Sequence, residues 1–344
     1  MTALFSFGLG VGTQNNKGEW LEVFYPQPVI NADNKMFEAI AATLDYTGGN
    51  QAITLNSESL GKLSIALSSA GAEEQAFIAE QLQTSTRPVV ACILESDLAP
   101  TSVPEGYLKL QLISHRLVKP HGTDLSGVFG VLPNVAWTNE GAIDLSELAD
   151  RQLKARLEGK VLSVNCVDKF PKMTDYVVPS GVRIAHTARV RLGAYIGEGT
   201  TIMHEGFVNF NAGAEGPNMI EGRVSAGVFI GAGSDLGGGA STMGTLSGGG
   251  NIIISVGKEC LLGANAGIGI PLGDRCTVES GLYITAGTKV LMLDDHNQPA
   301  GEAKARDLAG KNDLLFRRNS MTGTVECLTN KSVVELNEAL HSSN

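Results

Sequence analysis

Residues 178–213 carry a branched apolar residue at every sixth position. Split into sixes, this segment reads VPSGVR IAHTAR VRLGAY IGEGTT IMHEGF VNFNAG, and each block opens with Val or Ile. A period of six matches neither the 3.6-residue turn of an α-helix nor the alternation of an ordinary strand. A fixed internal period is typical of repeat proteins, in which each unit buries its apolar positions by stacking on its neighbours.

The sixfold repeat predicts a mainly β fold, a left-handed parallel β-helix with three hexads in each triangular coil of about 18 residues. The first residue of each hexad should point inward and stack on its counterpart one coil away. An irregular β-sandwich is the alternative, but the repeat resumes after both of its breaks, which argues against chance spacing. The predicted inward positions are Val178, Ile184, Val190, Ile196, Ile202, Val208, Val224, Ile230, Leu236, Ile254, Cys260, Ala266, Leu272, Val278, Ile284 and Val290.

The composition limits the partners of this chain. Its 344 residues include 42 glycines and only 6% aromatics, which indicates tight turns around a narrow aliphatic core. A net charge of −10 without a long basic run argues against nucleic acid. No apolar run approaches the roughly 20 residues that span a bilayer, and no basic segment precedes the N-terminal apolar stretch. Five dispersed cysteines are typical of reduced thiols. We therefore expect a cytoplasmic protein with no membrane partner.

The first 175 residues lack the repeat and predict a mixed α/β region. Turn residues NNKG between two apolar segments indicate a hairpin, and Asp33 and Asp144 or Ser146 are candidate helix caps. The predicted elements are a hairpin over 3–25, helices over 33–46, 72–83 and 143–158, and a buried strand over 88–95.

The presence or absence of the sixfold repeat divides the sequence into three predicted domains. We expect an N-terminal α/β domain over 1–175, a β-helix over 176–295 and a C-terminal segment over 296–344, the last with a helix at 332–341. Within the β-helix the sixfold spacing fails twice, and we predict loop excursions over 209–223 and 237–253. Loops that leave a regular scaffold commonly carry binding or catalytic residues.

The first excursion carries a carboxylate beside a guanidinium, Glu221 and Arg223, in the stretch MIEGR. This pair suits general-base chemistry near an anionic substrate, and a surface ion pair is the alternative. The second excursion is rich in glycine, so its backbone N–H groups could approach an extended ligand or an oxyanion. A flexible loop is the alternative there.

Two further features of the sequence concern possible ligands. His186 and His204 lie 18 residues apart and should stack; a catalytic zinc site would need a third His at a suitable hexad position, which the sequence lacks. Residues 303–318 carry a net charge of +3, which suits a phosphate-rich cofactor such as coenzyme A, with a solvated charged face as the alternative. The basic residues of this segment are Lys304, Arg306, Lys311, Arg317 and Arg318.

Four stretches are more specific than the repeat. IMHEGFVNFNAGAEG, MIEGRVSAGVFIGAGSDLGGGAS, TLSGGGN and LLFRRNS resemble the 2,3,4,5-tetrahydropyridine-2,6-dicarboxylate N-succinyltransferases of the longer-chain branch, from about residue 170 to 325. The resemblance implies succinyl transfer from succinyl-CoA to the amine of opened tetrahydrodipicolinate, 2-amino-6-oxopimelate. The products would be N-succinyl-2-amino-6-oxopimelate and CoA, on the diaminopimelate route to lysine. It also implies a homotrimer with active sites between subunits.

The resemblance also implies residue roles. Glu221 would be catalytic, Arg223 would bind substrate, and Glu205 would contribute to a Mg²⁺ site shared around the trimer axis. Position 188 is Ala, where some members carry an acidic residue, which puts a two-carboxylate metal site in doubt. The succinyl-CoA groove would further include Gly238, Ser241, Ala264, Glu279, Ser280, Gly287, Lys304, Arg317, Arg318, Asn319 and Ser320.

The chemistry of Glu221 has two interpretations. It could accept the proton of the attacking amine, or it could attack the thioester itself and form an acyl-anhydride. Two other classes of function also remain, a β-helix acyltransferase with different substrates and a non-catalytic trimeric scaffold. Comparing acetyl-CoA with succinyl-CoA, with tetrahydrodipicolinate as acceptor, separates the acyltransferases. Turnover of no CoA thioester would favour the scaffold.

Overall fold

The computed structural model describes residues 4–244 and 252–329. By its internal contacts the chain forms two units, one comprising 1–118 and 122–171, the other comprising 119–121 and everything from 172 onward. The described part of the predicted C-terminal segment therefore belongs to the second unit. The predicted helix at 332–341 lies outside the described residues.

The first unit contains a five-stranded antiparallel sheet and a smaller three-stranded one. The predicted hairpin is confirmed: its two strands pair, and the Asn15 side chain accepts hydrogen bonds from the backbone N–H groups of Lys17 and Glu19 in the turn. The larger sheet has the order Trp20–Phe24, Leu4–Gln14, Val89–Leu94 and Gln51–Leu55, with Val29–Ala32 also paired to Leu4–Gln14. The smaller sheet has the order Gly141–Asp144, Val135–Thr138 and Val164–Asp168.

The three predicted helices of this unit are confirmed, together with their caps. Asp33 accepts a hydrogen bond from the N–H of Met36 at 2.8 Å, and Asp144 accepts one from Ser146 at 2.8 Å. The helix at 103–114 was missed because it is buried nearly all round, so it lacks the polar face that reveals a helix in sequence. The helices are Asn34–Thr43, Ser57–Ser69, Glu73–Leu82, Val103–Ser114, Val128–Val131 and Leu145–Leu157.

His115, which ends the helix at 103–114, predicts a pH dependence of stability. Burial lowers its pKa below the ordinary 6.5, and its Nε2 has no hydrogen-bond partner among the described residues. The folded chain therefore resists protonation that the unfolded chain accepts. The contribution of neutral His115 to the free energy of unfolding should be complete above pH 6.5 and should fall as the pH drops below that value. Urea unfolding from pH 8 to 5 measures this slope. His115→Phe should flatten it, whereas a variant of the exposed His296 should not.

The second unit is built from three walls of parallel strands, which are named here A, B and C. Wall A contains Arg183–Ile184, Thr200–Ile202, Asn218–Ile220, Asp235–Leu236, Leu261–Leu262 and Thr277–Val278. Wall B contains Phe207–Val208, Arg223–Val224, Ser241–Thr242, Gly267–Gly269 and Tyr283–Thr285. Wall C contains Ala194–Ile196, Ala212–Ala214, Phe229–Ile230 and Ser255–Val256. The chain visits the walls in turn, as a β-helix of hexapeptide repeats requires.

The C-terminal strands extend wall A. Leu314–Arg318 pairs parallel to Thr277–Val278 and antiparallel to Val325–Thr329. Lys289–Leu293 pairs parallel to Val325–Thr329, and Pro299–Lys304 pairs antiparallel to Lys289–Leu293. Short 3₁₀ helices occur at Met173–Asp175, Thr187–Arg189 and Ala305–Leu308.

Most of the predicted inward residues form one aliphatic core, with corrections at four positions. Val178 is 71% exposed, because it precedes the first strand of wall A and has no coil to stack on. Ile254, Cys260 and Ala266 are buried, but they lie two residues before the positions that stack. Those positions are Val256, Leu262 and Ile268. Cys260 is a core residue as predicted, and its pKa is raised by the adjacent Cys276 thiol and by burial.

The first predicted excursion, over 209–223, is not present. Residues 212–214 and 218–220 are wall strands, and the inward side chains Ala214 and Ile220 keep the sixfold spacing. The small Ala214 and the polar corner that follows it concealed the repeat. The irregularity lies at the next corner, between Ile220 and Val224. Ile220 stacks on Ile202 and Val224 stacks on Val208, so this corner is two residues shorter than the corner one coil earlier.

The second predicted excursion, over 237–253, begins later than expected. Ser241–Thr242 is a strand of wall B, and the buried Thr242 occupies an inward position. Its hydroxyl donates to the backbone oxygen of Arg223, which satisfies a polar group inside the apolar core. Thr242 stacks on Ile268, so the additional length follows Thr242. A threonine among Val, Ile and Leu made this strand inconspicuous in the sequence.

No helix in the described part of the chain is long and apolar enough to cross a membrane.

Candidate active site

Five of the predicted catalytic and substrate-binding residues lie along one edge of the β-helix, which is named here the A–B corner. It comprises the turns that lead from wall A to wall B in successive coils. Backbone hydrogen bonds hold these turns in register: Asn265 N–H donates to Gly238 at 2.9 Å, and Gly281 N–H donates to Ala264 at 2.8 Å. The residues brought together are Glu221, Gly238, Ala264, Glu279 and Ser280.

Glu221 lies where the corner is two residues shorter than in the coils on either side. This turn therefore projects less far from the β-helix than its neighbours, and the Glu221 side chain is half-buried. A Cβ atom on Gly238 would lie 3.6 Å from Glu221 Oε2, so the carboxylate extends toward the next coil and lies beside the backbone of Gly238. The shortened turn and this glycine leave room for a reacting group against the carboxylate.

Backbone N–H groups are available along the same corner. Those of Gly238, Ala264 and Ser280 have no acceptor among the described residues, although neighbouring N–H groups of these turns are paired. The three residues occupy equivalent positions in successive coils, so their N–H groups follow the prism axis about 4.8 Å apart. A row of unpaired donors of this kind can bind the oxygens of an extended ligand.

Arg223 and Ser241 lie on wall B, next to the corner. They are paired in register, and Arg223 Nη2 donates to Ser241 Oγ at 2.6 Å. The alternative of a surface ion pair between Glu221 and Arg223 is wrong, because no such pair forms in the described structure. The Ser241 hydroxyl instead holds the guanidinium one coil along the axis, at the level of Gly238.

Gly287 and Lys304 lie at the far end of the wall B strand Tyr283–Thr285. Gly287 is exposed in the turn that follows this strand. The backbone N–H of Ala305, next to Lys304, donates to Thr288 in the same turn at 2.9 Å. An open pocket beside it is lined by Lys289, Glu302, Ala303, Lys304, Arg306 and Asp307. Two of the predicted basic residues are therefore available to a ligand.

The stretch 317–320 lies where wall A ends. Arg317 Nε and the Asn319 amide both bind the buried Glu326, at 2.9 Å each. The hydrogen bond from Asn319 is the main cause that lowers the pKa of Glu326, with Arg317 contributing. Arg318 approaches the corner through its backbone, because its N–H donates to Glu279 at 2.7 Å. Ser320 is exposed in the following turn.

Glu205 lies on the A–B corner one coil before Glu221. His204 Nδ1 and Arg189 Nη2 each approach one of its oxygens at 2.8 Å, and the hydrogen bond with His204 is the main cause that lowers its pKa. The predicted stacking of His186 and His204 is confirmed, with ring centroids 5.3 Å apart. The described residues contain no group of three metal-ligating side chains. Within one chain Glu205 offers a single carboxylate, so a Mg²⁺ site around a trimer axis would need Glu205 from all three chains and stays a prediction.

Sequence reasoning missed Tyr283. This tyrosine is 42% exposed, and it lies on wall B in the same outward-facing row as Arg223, Ser241 and Gly267. A signal was present in the sequence, because the large aromatic precedes an inward hexad residue while the equivalent position in the previous coil is glycine.

Comparison with known proteins supports one family throughout the chain. Residues 132–172 match the family profile described as "Tetrahydrodipicolinate N-succinyltransferase middle". Residues 253–286 match the "Hexapeptide repeat of succinyl-transferase". The 2,3,4,5-tetrahydropyridine-2,6-dicarboxylate N-succinyltransferase of Pseudomonas putida is 67% identical, with 99% of both chains covered. The chain belongs to this family.

More distant relatives of the N-succinyltransferase family agree. The protein of the same name from Vibrio cholerae is 59% identical over 99% of this chain and 100% of its own. A crystal structure from Campylobacter jejuni, named for 2,3,4,5-tetrahydropyridine-2-carboxylate N-succinyltransferase, superposes with a TM-score of 0.87. It is 32% identical and covers 97% of this chain and 94% of its own. Membership in this family makes the chain an acyltransferase and excludes the non-catalytic scaffold.

Proposed function

We propose that this N-succinyltransferase transfers the succinyl group of succinyl-CoA to the amine of opened tetrahydrodipicolinate, in the diaminopimelate route to lysine. One observation carries the assignment of the site. The Glu221 carboxylate lies beside Gly238, whose N–H is unpaired among the described residues, and the Arg223 guanidinium is held at the same level of the β-helix. A reactive carboxylate, an oxyanion donor and a carboxylate anchor are thus adjacent.

Arg223 suits the free carboxylate of the succinyl group. Guanidinium–carboxylate pairs are strong and directional, and Ser241 fixes the position of this guanidinium beside the corner. An acetyl group has no such carboxylate, so it would leave Arg223 without its anionic partner. The basic residues Lys304 and Arg306 suit the phosphates at the other end of the donor.

The corner can assist the transfer in two ways. The acceptor amine loses a proton as it attacks the thioester carbon, and Glu221 lies where it can accept that proton. The thioester oxygen gains negative charge as the tetrahedral intermediate forms, and the Gly238 N–H can stabilise it. Collapse of the intermediate then breaks the carbon–sulfur bond and releases CoA.

In the alternative route the Glu221 carboxylate attacks the thioester carbon, the carbon–sulfur bond breaks to release CoA, and a mixed anhydride of Glu221 and succinate forms. The amine then attacks this anhydride, which gives the amide and restores the Glu221 carboxylate. Rapid-quench trapping without acceptor separates the two routes. A succinylated Glu221 peptide found by mass spectrometry would establish the covalent route. A strictly sequential kinetic pattern with no trapped peptide would argue for the general-base role.

The overall assignment is tested by turnover with tetrahydrodipicolinate as acceptor. We expect the protein to turn over succinyl-CoA. Acetyl-CoA should give a much lower kcat/KM, because it lacks the carboxylate that Arg223 binds. Equal turnover of both donors would contradict the succinyl assignment. No turnover of either would contradict the proposed reaction.

Ser241→Ala should weaken discrimination between donors. Loss of the hydroxyl frees the Arg223 guanidinium, so we expect the KM for succinyl-CoA to rise about tenfold with a smaller effect on acetyl-CoA. Ser241→Thr retains the hydroxyl and should restore most of the preference. Steady-state kinetics with both donors measure the ratio. An unchanged ratio in Ser241→Ala would show that the hydrogen bond does not position Arg223 for the donor.

We also propose that the coils wind left-handed and that three chains assemble with a site between neighbours. The hexapeptide-repeat match and the open position of the A–B corner support this arrangement. Light scattering should give three times the chain mass.

A further inference from the structure

The predicted donor-binding residues occupy two ends of one strand. Glu279 and Ser280 precede the wall B strand Tyr283–Thr285 at the A–B corner, and Gly287 follows it in the turn beside Lys304. A single extended ligand that contacts both Glu221 and Lys304 of one chain would therefore cross the outer face of this strand. The resemblance to the N-succinyltransferases assigns no ligand contact to the residues of this face.

The outer face carries an aromatic ring laid flat on glycine. A Cβ atom on Gly267 would lie 2.1 Å from Tyr283 Cε2 and 2.2 Å from its Cδ2, so the absence of a side chain at 267 is what lets the ring lie against wall B. Gly267 is buried beneath it, while Tyr283 is 42% exposed. One face of the ring packs on the wall, and the other is open to solvent.

The ring also lies in line with the acyl-binding residues. Tyr283 pairs in register with Gly267, Gly267 with Ser241, and Ser241 with Arg223. Three strand spacings separate Arg223 from Tyr283, roughly 14 Å along the axis. The part of an acyl-CoA at this distance from the acyl group, and before the phosphates, is the pantetheine arm. This arm is largely apolar and extended, and an exposed aromatic face is a favourable surface for it.

We propose that Tyr283 is a donor-binding residue whose open ring face contacts the pantetheine arm of succinyl-CoA. This inference rests on the proposed function, since it takes succinyl-CoA as the donor. Tyr283 would hold the middle of the donor on wall B, while Arg223 binds the acyl carboxylate and the Lys304 end binds the phosphates. The hydroxyl has no part in this contact, so the ring alone should suffice.

The test compares two donors of different length. For Tyr283→Ala we expect the KM for succinyl-CoA to rise about tenfold, with the KM for the acceptor unchanged. The thioester succinyl-N-acetylcysteamine lacks most of the arm, so its KM should not change. Tyr283→Phe should behave like wild type. Gly267→Ala, which displaces the ring, should reproduce the effect of Tyr283→Ala. Tyr195→Ala, an aromatic on wall C, is the matched control.

Calorimetric titration with CoA itself provides a second readout that does not need turnover. The dissociation constant should rise about tenfold in Tyr283→Ala. An unchanged affinity and KM, or an equal loss with the long and the short donor, would overturn the assignment to the pantetheine arm. Failure of the proposed function would look different, because wild-type enzyme would then show no succinyl transfer while CoA binding still reports on Tyr283. Circular dichroism melting confirms that each variant is folded.

Discussion

Replacing Glu221 by alanine is expected to lower kcat for succinyl transfer at least about 10²-fold, because the reaction loses the carboxylate that lies beside Gly238. The loss should fall on kcat more than on the KM for succinyl-CoA, since Arg223 and the unpaired N–H groups remain. Glu221→Gln keeps the shape but cannot accept a proton, so it should be nearly as slow. Steady-state kinetics with tetrahydrodipicolinate provide the measurement.

The matched control is Glu198→Ala, which removes an exposed glutamate from a different corner, between walls C and A. It should keep wild-type kinetics. If Glu221→Ala retained more than about a tenth of wild-type activity, Glu221 would not be the catalytic carboxylate. Unchanged melting curves for both variants would show that the effect is chemical.

Asp97→Ala is expected to destabilise the first unit by about 3–5 kcal/mol. The ammonium group of Lys109 is fully buried, and Asp97 is its ion-pair partner. Asp97 also accepts hydrogen bonds from the Thr123 hydroxyl at 2.8 Å and from Asp124 N–H at 3.1 Å. Removing the carboxylate leaves a buried charge without compensation and frees the loop that carries Thr123. Urea unfolding of the intact chain measures the loss.

Two controls make the interpretation specific. Glu58→Ala breaks an exposed ion pair with Lys62, so the unfolding midpoint should not move, because exposed pairs of this kind contribute little. The double variant Asp97→Ala with Lys109→Met removes both charges and should recover part of the loss. A loss below about 1 kcal/mol in Asp97→Ala would contradict the importance of this buried pair.

The β-helix and the family were readable in the sequence, but the loops that were expected to carry the function were misplaced. The hexad pattern depends on large inward side chains, so it failed where Ala214 and Thr242 fill inward positions. Those gaps were interpreted as excursions. The structure shows that stacking tolerates a small or a hydroxyl-bearing residue when its volume fits or its hydroxyl is paired, as the Thr242 hydroxyl is with Arg223.

In the candidate active site, too, the sequence identified some features and only the structure showed others. The motifs identified Glu221 and Arg223, and the resemblance identified the glycines and small residues near them. Neither showed that Arg223 binds Ser241 instead of Glu221, nor that Arg317 and Asn319 engage Glu326. Tyr283 was missed because it belongs to no motif, and its meaning depends on a glycine in the previous coil.

The sequence alone determined the coil period, the core residues of most coils and the acyltransferase family, because these depend on local spacing and on specific short motifs. Only the tertiary structure decided which turn recedes, which N–H groups remain unpaired and which side chains share one face of a wall. Those properties arise between coils, from residues 16 to 26 positions apart that stack directly on each other. Changes in coil length alter which residues meet, so the active corner is defined by the register of the coils.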